Sequence, residues 1–123
     1  MPDLIPLEDL PDAFRYPAEF VRTVELGLTD LEPWQVLTGA VASRTYRGLA
    51  ERYPDQGYVP FAARQDNDDL ACWVTGPAVV TVHDHAAPGW ERRGPVYDDF
   101  HAWLRAAIED YIHWGELERA HGA

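Results

Sequence analysis

The sequence predicts one α+β domain over residues 1–123: a central, largely antiparallel β-sheet in meander form, packed against helices, with a long C-terminal helix. Three observations predict it. Alternating apolar residues between Val59 and His85, broken by two compact turn signatures, read as three successive strands. Apolar residues at helical spacing on either side of that stretch read as the helices such a sheet needs over its buried face. A chain of 123 residues supports one core and little more.

Taken in order, residues 1–15 carry Pro2, Pro6 and Pro11 among acids and are expected as an extended arm, with one helical turn at Leu7–Leu10 and order that could depend on a partner. From Pro17 to Leu26 a helix is predicted: proline suits its first turn, Glu19 complements the dipole, and Gly27 ends it. Tyr16, Phe20 and Val24 form its apolar side. Trp34–Thr38 is a short strand candidate that could join the sheet edge, and a second helix runs from Thr38 or Gly39 to Tyr53, stopped by Pro54.

The meander itself comprises strands Val59–Arg64, Leu70–Val74 and Ala78–Asp84. Its first turn, Asp66-Asn67-Asp68-Asp69, has short side chains that hydrogen-bond their own backbone. Its second uses Gly76-Pro77. Ala86–Pro95 reads as a glycine- and proline-rich loop in which Trp90 either packs back onto the domain or presents a binding surface. The last helix runs from Asp98, a plausible N-cap, to about Arg119. Its stripe of Phe100, Trp103, Leu104, Ala107, Ile108, Tyr111 and Trp114 is expected to cover the sheet.

Composition narrows the function classes. The formal charge is −11, every basic residue is Arg, and the apolar fraction is 46%. Such an acidic chain lacks the cations that replace counterions on nucleic-acid phosphates, so nucleic acid is not an expected partner. Basic proteins are, although the same charge also serves plain solubility. The single Cys72 gives no disulfide framework, and neither a basic, apolar leader nor a run of about 20 apolar residues is present. The expectation is a cytoplasmic protein with no membrane partner. Oligomeric state stays open.

No residue pattern proposes catalysis or a cofactor. His83 and His85, one residue apart on a strand, would point the same way as metal ligands do, but no third ligand stands at a recognisable spacing. A small metalloenzyme built on them is the minor alternative. Asp66–Asp69 resembles a calcium loop only superficially, since Ala71 and Pro77 stand where glycine and glutamate are needed. Alternation buries Cys72, the sole serine, Ser43, lies in a predicted helix, and the acid pairs Asp98-Asp99 and Glu109-Asp110 diverge.

A family resemblance rests on particular residues. Tyr16-Pro17 opening a helix, then Trp34-Gln35-Val36-Leu37, Val59-Pro60-Phe61-Ala62, Asp68-Asp69-Leu70-Ala71-Cys72-Trp73, Val79 through Asp84, and Tyr97-Asp98-Asp99-Phe100 before Trp103-Leu104 resemble the SUKH superfamily, in its Smi/Knr-like branch. The likeness spans about Tyr16 to Ile108 through diffuse apolar and acidic positions. It implies an α+β fold without catalytic residues. Bacterial members look like immunity proteins that neutralise cognate toxins, often nucleases, and fungal relatives act as regulatory scaffolds. On that reading Asp66, Asp68 and Asp69, with Trp73 and Trp90, form a face for a basic toxin domain, the acids steering and the rings anchoring. The alternative for Trp73 is a place in the core.

Overall fold

The computed structural model describes residues 3–74 and 76–122. Among these, a 3₁₀ turn (Leu7–Asp9) precedes α1 (Ala18–Glu25), β1 (Asp30–Leu31), β2 (Trp34–Val36), α2 (Gly39–Arg52), β3 (Val59–Arg64), β4 (Asp69–Trp73), β5 (Val79–His83), β6 (Arg92–Tyr97) and α3 (Phe100–Gly122). The six strands form one antiparallel sheet in the order β1-β2-β3-β4-β5-β6. Each strand lies beside its neighbour in sequence.

Local chemistry explains most boundaries. Asn67 Oδ1 accepts a 2.8 Å hydrogen bond from the Asp69 N–H, the side-chain turn that the polar run predicts. At the end of α1 the Gly27 N–H donates to Val24 O and the Leu28 N–H to Thr23 O, with Gly27 at φ +78°, so glycine closes the helix by capping its last carbonyls. The cap of α3 is Asp99, whose Oδ1 accepts from the Ala102 N–H at 2.8 Å, one residue beyond the expected Asp98.

Both faces of the central strands are covered. On one, Trp73 stacks on Phe61 with ring centroids 4.3 Å apart, and Phe20 of α1 meets both rings edge-on at 5.0 and 5.5 Å. Phe100 and Trp103 of α3 complete that cluster against Phe61. On the other, Leu70 pairs with Val82 and Cys72 with Val80. Arg52 at the end of α2 reaches Asp84, which continues the alternation of Val80 and Val82, so α2 belongs to this second face. Burial pushes the Cys72 thiol well above its ordinary value, which keeps it protonated and inert.

Three expectations need correction. The expected arm at residues 1–15, of which residues 1 and 2 lie outside the described residues, is docked from residue 3 on: Ile5 and Leu10 are buried in the core, and the Ile5 N–H donates to the Tyr16 hydroxyl. The Ala86–Pro95 loop gives up its second half to β6, an exposed edge strand that accommodates Gly94 (φ +80°) where its register with β5 shifts. The α3 stripe covers the sheet only through Ala107, and Ile108 and Tyr111 are exposed. At about 1.5 Å per residue the 23-residue helix is about 34 Å long, roughly twice the length of the strands beneath it.

Candidate functional site: the acidic end of the sheet

The meander places the β1–β2 turn, the β3–β4 turn and the β5–β6 loop at one end of the sheet. Trp34 pairs with Arg64 and Asp69 with His83, and the Gln65 N–H donates to Pro33 O, so these three connections are neighbours. They carry Glu32, Asp66, Asp68, Asp69 and Asp84, with Asp110 arriving from α3. Arg64 closes β3 and the exposed Arg92 and Arg93 open β6 at this same end, and Arg52 reaches Asp84 from α2.

Those charges are distributed unevenly. Arg64 pairs with Asp66 at 2.7 Å and Asp110 at 3.4 Å, and lies over the Trp34 ring at 5.8 Å. The Trp34 indole N–H donates to the same Asp110 Oδ2 at 3.0 Å. The Asp66 hydrogen bond, with help from Asp110 and Asp69, pushes the Arg64 guanidinium up from its ordinary value. Asp84 accepts both arms of Arg52, at 2.6 and 2.5 Å. Asp69 faces His83 Nδ1. Asp68, exposed at the tip, has no ionic partner among the described residues.

The β5–β6 loop is fixed from inside. Glu91 is only 4% exposed, with Oε2 accepting from the Tyr58 hydroxyl at 2.6 Å and Oε1 from the Gly89 N–H at 2.7 Å. The Tyr58 bond, aided by the Gly89 N–H and Arg92, outweighs desolvation and lowers the Glu91 pKa. Burial and that same bond raise the Tyr58 pKa. The Tyr53 hydroxyl donates to Ala86 O at 2.7 Å, and the His83 N–H to Glu91 O at 2.6 Å. The loop is thereby held beside the β3–β4 turn with Trp90 outermost, 69% exposed.

Of the residues assigned to a partner face, the structure brings Asp66, Asp68 and Trp90 to the surface at one end. Trp73 is not among them. It is fully buried against Phe14, Tyr16, Phe20 and Phe61, because β4 is covered on both sides and neither phase of its alternation reaches solvent. Asp69 is half withdrawn, held against His83.

The paired-histidine alternative loses its geometry as well. The strand ends at His83, and His85 sits at φ +69° in the following turn, so the two rings take different partners, Asp69 and Asp84. Among the described residues, no group of three or more His, Cys, Asp or Glu could hold a metal ion. None of the described helices is long and apolar enough to cross a membrane. Arg64, Tyr58 and Glu91, which shape this end, carry no sequence pattern that marks them, and Asp110, expected only as half of a diverging acid pair, takes bonds from Trp34 and Arg64. No family model, curated protein or solved structure matches the chain.

Proposed function

We propose that the chain is a non-catalytic protein-binding domain of the SUKH, Smi/Knr-like kind, acting as an immunity protein that neutralises a cognate basic toxin domain. The observation supporting this reading is the acid-rich sheet end with Trp90 exposed beside it. Large aromatics surrounded by polar groups are the usual anchors of protein interfaces, and carboxylates around them raise the association rate of a cationic partner. A nuclease toxin, with its phosphate-binding cleft, has the complementary charge. A regulatory scaffold module would use the same surface for a different partner.

The test is rescue of cells expressing a toxin encoded beside this chain, combined with titration of the purified pair. Trp90→Ala is expected to weaken binding about tenfold or more, mainly through faster dissociation. The double variant Asp66→Asn, Asp68→Asn is expected to slow association and flatten its salt dependence while leaving the melting temperature nearly unchanged. Unchanged inhibition by both variants would remove this face from the proposal. Failure of the wild-type chain to rescue any adjacent toxin would favour the scaffold.

A further inference from the structure

The outer half of α3 has a consequence of its own. Ile108, Tyr111, Ile112, Gly115 and Arg119 fall on one side of the helix at its natural spacing, and Tyr111 and Ile112 are 50% and 45% exposed. Tyr111, Ile112, Gly115 and Arg119 wall a groove with Asp30 and Glu32 of the β1–β2 hairpin. From Tyr111 to Arg119 it offers about 12 Å of helix, about two turns.

Gly115 sits in this wall, inside a helix, where glycine is destabilising relative to alanine. The domain itself does not require it: a Cβ there would meet nothing nearer than Arg119 Nη1 at 4.0 Å. A bare backbone beside the exposed Tyr111 and Ile112 leaves room for the close approach of another chain. The Trp114 indole N–H in the same wall is buried without an acceptor among the described residues. Acids border the groove on both sides, Asp30 and Glu32 from the hairpin and Glu118 from α3, and outnumber the Arg119 cation in the same lining.

We propose that this groove receives a cationic amphipathic helix from a protein partner, apolar residues on Tyr111, Ile112 and Gly115 and basic residues opposite Asp30, Glu32 and Glu118. A second copy of the chain is a poorer occupant, since it would bring the same carboxylates and a further charge of −11. The groove shares the β1–β2 turn with the acidic sheet end but draws its helical wall from α3 and contains none of Asp66, Asp68 or Trp90, so the inference stands whether or not the immunity reading does.

The test uses the full chain and a labelled model peptide of leucine and lysine, about 18 residues long, patterned with the 3.6-residue helical period. Its control has the same composition at period two. The helical peptide is expected to bind at least about tenfold more tightly than the control. Gly115→Arg, a better helix former that fills the groove with a cation, is expected to weaken it about tenfold or more while melting no lower than the wild type. The double variant Asp66→Asn, Asp68→Asn is expected to bind the peptide within about twofold of wild type. Equal affinity for both peptides, or unchanged binding by Gly115→Arg, would overturn the proposal. So would a wild-type dimer that Gly115→Arg converts to a monomer, because the occupant would then be the chain itself.

Discussion

Trp73→Ala is expected to cost about 3–5 kcal/mol of folding stability, a large part of the 5–15 kcal/mol that holds an ordinary domain together. The ring lies where five others meet or border it: Phe61 stacks on it, Phe20 and Tyr16 meet it edge-on, Phe14 is tilted against it, and Phe100 packs behind Phe20 and Phe61. Removing it leaves a cavity bounded by rigid rings, which relax poorly. Trp73→Phe is expected to be much milder. It keeps most of the ring contact and removes the indole N–H, which has no acceptor among the described residues and whose burial is itself costly. Urea unfolding followed by circular dichroism checks the pair. A cost for the alanine variant below about 1 kcal/mol, or equal costs for the two, would contradict this account of the core.

Glu91 carries the second large effect. Glu91→Leu strands the Tyr58 hydroxyl inside the protein and takes the acceptor from the Gly89 N–H at the surface, so a loss of about 2–3 kcal/mol is expected. Glu91→Gln has one acceptor oxygen, which can serve the Gly89 N–H while its amide NH2 donates to a reoriented Tyr58 hydroxyl, and it is expected to cost about 1 kcal/mol. The charge adds a pH dependence of fixed sign. The Tyr58 hydrogen bond lowers the folded-state pKa of Glu91 below its unfolded value near 4.3, so the unfolded chain binds this proton first as pH falls. The stabilisation is complete above about pH 5 and is lost progressively below that. Between about pH 7 and about pH 4, wild type should therefore lose more stability than Glu91→Gln, and equal losses would show that Glu91 is not held ionised.

Much of the fold is legible because local signals agree. Asp66–Asp69 and Gly76-Pro77 are turn sequences whatever surrounds them, and the apolar alternation between them fixes β3 to β5 to within a residue. β6 is illegible for the opposite reason: Arg92, Arg93, Gly94 and Pro95 have no strand preference, and only the open edge of β5 makes them one. Trp73 shows the limit of alternation, which assigns a face but cannot say that helices cover both faces.

The candidate site divides in the same way. Asp66 and Asp68 announce themselves in a polar turn, and Trp90 stands out as the large ring of the Ala86–Pro95 stretch. The bonds that shape this end join Trp34 to Asp110, Arg64 to Asp110 and Tyr58 to Glu91, pairs separated by 76, 46 and 33 residues. No periodicity links positions so far apart. The outer half of α3 misleads by being regular: its stripe continues past the sheet it was expected to cover, and the same apolar residues that mark a core elsewhere mark a surface there.

The sequential strand order also sets a timetable for synthesis. As the chain emerges, each strand finds its partner in the one just made, so the sheet can assemble hairpin by hairpin without waiting for distant segments. Phe100 and Trp103 come after every strand. Until they emerge, Phe61 lacks its cover from α3, and a chain halted within β6 presents an adhesive aromatic surface of the kind chaperones bind. Completion of α3 is thus the step that turns a paired sheet into a finished domain.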